Sequence, residues 1–101
     1  MTEENRQKKL EYLRNQRDGK IQGGYRDLLA ATYNYLQEQC AVNPDAWCNP
    51  YNNQICMAVY GNTNHTSMIS RFVYDLRGLG YIRIVGSGAD RRIFIAKEID
   101  F

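Results

Sequence analysis

Residues 65–97, HTSMISRFVYDLRGLGYIRIVGSGADRRIFIAK, change their hydrophobic period partway along, and that change decides the fold. Ile69, Phe72, Val73, Leu76 and Leu79 recur every three or four residues, which predicts a helix over 65–78 ended by Gly78 and Gly80. From Tyr81 the period falls to two: YIRIV (81–85) and RRIFIAKEI (91–99) alternate β-branched or aromatic residues with polar ones. GSGAD between them has the composition of a hairpin turn, because glycine adopts positive φ without a Cβ clash. A helix followed by two antiparallel strands is expected.

Upstream, NQICMAVYG (53–61) offers Asn53 as a cap, Ile55, Ala58 and Val59 as an apolar trio, and Gly61 as a stop. This predicts a helix of barely two turns, and Thr63 or Asn64 caps the next one. YRDLLAATYNYLQEQC (25–40) puts Tyr25, Leu28, Leu29, Thr32, Tyr33, Leu36 and Cys40 on one face of a longer helix. AVNPDAWCNPYNN (41–53), with both prolines and four asparagines, reads as a loop anchored by Trp47. Residues 1–18 carry only Leu10 and Leu13 among charged and amide side chains, and read as a short helix or a frayed tail ending at Asp18-Gly19. The expected fold class is therefore α+β: three to four helices, then a C-terminal two-stranded hairpin. A charged N-terminal segment (1–20) precedes one domain (21–101).

A chain of 101 residues has room for one modest core. No stretch approaches the roughly 20 apolar residues of a membrane span. The charged start MTEENRQKKL is unlike a secretory signal, so a cytoplasmic, reducing location is expected. Cys40, Cys48 and Cys56 are eight residues apart, without the Cys-x-x-Cys spacing of a zinc site. Cys40 and Cys56 are expected to pack as small hydrophobes, and a Cys40–Cys48 disulfide only in an oxidising setting or a thermophile. The net charge of +2 is mild, and it sits at the ends: residues 1–20 and 61–101 are each +2, residues 21–60 are −2. No metal, cofactor, small-molecule ligand or membrane is implied.

A short helix, a tight turn, a second helix and a hairpin match the winged helix-turn-helix, whose second helix enters the major groove of DNA. With Ile69, Phe72, Val73 and Leu76 turned inward, His65, Thr66, Ser67, Ser70, Arg71 and Tyr74 are left for the helix start and outer face. Arginine bonds guanine O6 and N7 together, serine and threonine bond bases or phosphates, and a helix N-terminus attracts phosphate. Arg91 and Arg92 stand at the hairpin turn, where a guanidinium enters a minor groove or neutralises phosphates, with Arg83 and Lys97 in support.

Over residues 53–97 the sequence resembles winged-helix regulators of the MarR (multiple-antibiotic-resistance regulator) type. The carriers are Ser67, Ser70, Arg71, Leu76 and Gly80 in SMISRFVYDLRGLGYIRI, and Asp90-Arg91-Arg92, similar to that family's Asp-x-Arg wing motif. The resemblance implies that Arg92 reaches the minor groove and Asp90 holds the wing. Ile95-Ala96 replaces the family's usual Leu-Thr, and its long C-terminal dimerisation helix has no counterpart before Phe101. A minimal winged helix is implied, of the kind plasmids, phages and archaeal viruses carry.

Other readings compete. His65, the single histidine, has no partner motif for catalysis and fits an exposed helix start. Asp75 with Arg77, or Asp90 with Arg92, reads as solvated charge or weak surface pairs. Of the eight tyrosines most look like core, with Tyr74 exposed. GSG at 86–88 lacks a following helix and is no phosphate loop. The expected function is sequence-specific binding of double-stranded DNA by a non-enzymatic, homodimeric transcriptional regulator, residues 1–20 or the Tyr-rich helix serving as dimer surface. A winged-helix protein-interaction module and a replication initiator are the alternatives.

Overall fold

Apolar side chains at helical spacing draw four helices around one core, and a small sheet closes it. The computed structural model describes residues 1–15 and 24–101. Asp18-Gly19 and the expected boundary at residues 20/21 lie outside them. Helix α1 (Glu3–Asn15) is followed by α2 (Tyr25–Ala41), which buries Leu29, Thr32, Tyr33, Leu36 and Cys40. Strand β1 (Trp47–Cys48), α3 (Asn52–Tyr60), α4 (Thr66–Gly78), β2 (Ile82–Val85), a 3₁₀ turn (Gly88–Asp90) and β3 (Arg92–Ile95) complete the order. The fold is α+β, with four helices and a three-stranded antiparallel sheet.

The strand order is β1-β3-β2, so the expected hairpin gains a third strand inside the supposed loop: Trp47 pairs with Phe94 and Cys48 with Ile93. Two residues are too few to show a period of two, and flanking prolines and asparagines hide them. β3 is shorter than RRIFIAKEI suggests. The amides of Ala96 and Lys97 both turn to the carbonyl of Tyr81, and the chain leaves the sheet there. Its end covers Tyr81, whose hydroxyl donates to Asp100 and whose ring meets Phe101 edge-on.

Helix boundaries shift by a residue or two. α3 starts at Asn52, not after Asn53: the Gln54 side chain accepts from the Tyr51 amide at 2.8 Å and closes the first turn. Gly61 ends α3 with φ +78°, as its sequence position implies. The residue preceding α4 is His65, not Thr63 or Asn64, and its ring stacks on Tyr60 at 4.2 Å. α1 is docked, with Leu10 and Leu13 both buried. Among the described residues no helix is long and apolar enough to cross a membrane.

The β2–β3 turn depends on Gly86, at φ +78°, where a Cβ would lie 2.6 Å from the Asp90 carbonyl oxygen. Gly86→Ala is therefore expected to cost about 1–3 kcal/mol, through backbone strain and displacement of the turn. Urea denaturation checks this. A variant as stable as the parent shows that the turn relaxes freely.

Candidate nucleic-acid interface

α4 is oriented by its buried stripe. Ile69, Phe72, Val73 and Leu76 enter the core, which turns Ser67, Ser70, Arg71 and Tyr74 to solvent along one arc. Thr66 is half-buried in the first turn, and His65 is exposed beside Tyr60. Four of the six expected α4 residues thus share one surface, while His65 is engaged with α3.

The β2–β3 turn is tied towards this arc. Arg91 donates through Nε to Asn49 Oδ1 at 2.8 Å and through Nη2 to the Pro50 carbonyl at 3.1 Å. Asn49 in turn donates to the carbonyl of Gly88. Three residues on, Asn52 Nδ2 donates to Ser70 Oγ at 2.7 Å. Between the turn and the start of α3 lies an open cleft of about 670 Å³. Arg91 is half-buried and fixes the turn, whereas Arg92 is exposed with its guanidinium 4.9 Å from the Trp47 ring centre. Arg83 lies over Phe94 and Lys97 over Tyr81 in the same manner. Each aromatic face steadies a long cationic side chain whose charge stays near water.

A second open cleft, of about 640 Å³, lies on the α1 side of α4, and Arg71 and Tyr74 border it together with Asn5, Lys8 and Tyr12. At its base is Asp75, which is buried, not the solvated charge expected of it. Asp75 Oδ2 accepts from Tyr25 Oη at 2.5 Å and from Lys9 Nζ at 3.1 Å. Burial, then the bond to Asp75, pushes the Tyr25 hydroxyl far above the ordinary tyrosine range. Tyr33 and Tyr81 are core residues, but Tyr12 and Tyr51 join Tyr74 as exposed rings.

Sequence reasoning missed Asn49 and Asn52, which carry no signal beyond their type in a loop. Asp75 did carry one: it stands three residues after Phe72 and four before Leu79, inside the buried stripe.

The three cysteines are free and buried, and among the described residues no group of three or more His, Cys, Asp or Glu could hold a metal ion. Cys40 Sγ lies 3.2 Å from Cys48 Sγ, and Cys48 faces the Leu36 carbonyl at 3.7 Å. Burial, and then the contact with Cys40, pushes the Cys48 thiol up to about 12. Since thiolate is the reactive form, alkylation of Cys48 at pH 8 is expected to be much slower in the folded protein than in denaturant. Peptide mass mapping measures it, and equal rates overturn the buried placement.

Compared with protein-family models, curated proteins and solved structures, the chain matches none.

Proposed function

We propose that the chain is a winged helix-turn-helix protein that binds double-stranded DNA in a sequence-specific manner. α4 lies in the major groove and the β2–β3 wing sits against the neighbouring backbone or minor groove. What supports the reading is one observation: the exposed Ser67, Ser70, Arg71 and Tyr74 arc of α4, with the wing joined towards it through Arg91, Asn49 and Asn52. The order helix, strand, helix, helix, strand, turn, strand from α2 to β3 is compatible with it. In this reading Arg71 meets a base edge, Ser67 and Ser70 bond bases or phosphates, and Arg92 is the wing cation; Arg91 positions the wing. The role is that of a small transcriptional regulator. Two copies on a palindromic site, half-sites one helical turn apart, raise the few contacts of one module to useful affinity.

Selection from a random duplex pool followed by mobility shift tests the proposal. Arg71→Ala is expected to cost about 1–3 kcal/mol on the selected site and to relax preference at one base pair. Arg92→Ala weakens selected and random duplexes alike and lowers the salt slope by about one. Absence of salt-sensitive duplex affinity in the parent, or unchanged affinity in the double variant, overturns it. Stable capture of a protein partner on the same face, insensitive to competing DNA, points instead to an interaction module.

A further inference from the structure

A helix about 10–12 Å across nearly fills a major groove about 12 Å wide, and phosphates line both walls. If α4 occupies that groove, protein standing on either side of it meets one wall. Residues 49–52, to which the wing is tied, meet α4 at Ser70. α1 meets it at Asp75, roughly 140° around the helix from Ser70, and shares the cleft of about 640 Å³ with Arg71 and Tyr74. Asn5, Lys8 and Tyr12 fall at i, i+3 and i+7, so they form one stripe along α1, and none of the glutamates of that helix borders the cleft. The carboxylate that does, Asp75, is already bonded to Lys9 and Tyr25. Lys8 and Arg71 therefore leave the cleft with net positive charge. Lys8 is 72% exposed and paired with Glu4 at 3.1 Å, an exposed pair that is weak and gives way to a stronger anion.

We propose that this cleft grips the sugar-phosphate backbone of the duplex that α4 reads. Lys8 supplies the charge, and Asn5 and Tyr12 donate hydrogen bonds to phosphate oxygens. The inference rests on the DNA-binding reading and extends it to α1, so that α4 is flanked by a backbone contact on each side.

The test is Lys8→Ala in the full chain, with Lys8→Arg as control, titrated with selected and random duplexes between 50 and 200 mM salt. Lys8→Ala, at an exposed position, keeps the parent melting curve. Its affinity is expected to fall roughly three- to fivefold on both duplexes and its salt slope by about one, while Lys8→Arg retains both. Parent-like affinity and slope in Lys8→Ala, alongside a loss in Arg71→Ala, removes α1 from the interface and leaves the reading of α4 standing. A parent protein without salt-sensitive duplex affinity overturns both.

Discussion

Replacing Lys9 by methionine is expected to lower the unfolding free energy by about 3 kcal/mol, more than replacing its acidic partner does. The Asp75 side chain is only 4% exposed and accepts one bond from Lys9 and one from Tyr25. Without the ammonium, a carboxylate remains in the protein interior with a single neutral hydroxyl to compensate it. The reverse change is milder. In Asp75→Ala the Lys9 head, whose side chain is 26% exposed, returns to water, and only the Tyr25 hydroxyl is left short of a partner. That loss is about 2 kcal/mol. For a domain of this size about 3 kcal/mol corresponds to roughly 12–20 °C in melting temperature.

The double variant Lys9→Met/Asp75→Leu sharpens the case. If the pair is a desolvated ion pair, replacing both partners by apolar groups recovers most of the stability, to within about 1 kcal/mol of the parent. Chemical denaturation of the four proteins gives the coupling between the two positions. Simple addition of the two single losses shows that the residues act independently and that the contact is incidental.

How much of this was legible in the sequence follows from the physics of each element. α4 and the β2–β3 hairpin announce themselves because their apolar residues hold one period over enough residues to be distinguished. β1 does not: its two residues make a strand only because β3, 45 residues later, offers them an edge. The outward arc of α4 was readable because its buried stripe fixes the opposite face. What positions that arc was not, since the bonds from Arg91 to Asn49 and from Asn52 to Ser70 join residues 42 and 18 apart. Arg91 itself shows the limit. Its charge suggested a contact with DNA, but the carbonyl and amide oxygens that hold its guanidinium appear only when the loop and turn are brought together.

Leu13→Asp is expected to release α1 and leave the rest of the domain folded. Leu13 is fully buried, and an ionised carboxylate there costs far more than freeing the helix. The loss is therefore capped by the cost of undocking. Undocking exposes Leu10 and Leu13, each contributing about 1.5–3 kcal/mol, and breaks the Lys9–Asp75 pair, while the helix regains conformational entropy. A net loss of about 4 kcal/mol follows. α2, α3, α4 and the sheet pack on one another without α1 as intermediary, so their amides stay protected from hydrogen exchange while those of residues 7–15 exchange rapidly. Loss of protection throughout means that α1 is integral to the core. Where the domain survives, the same variant bears on the proposed backbone grip. With α1 detached, duplex binding shows the reduced salt slope of Lys8→Ala, and adding Lys8→Ala changes nothing further, because the lysine no longer stands beside α4. Arg71→Ala still weakens binding in that background, since α4 is held by its own buried stripe.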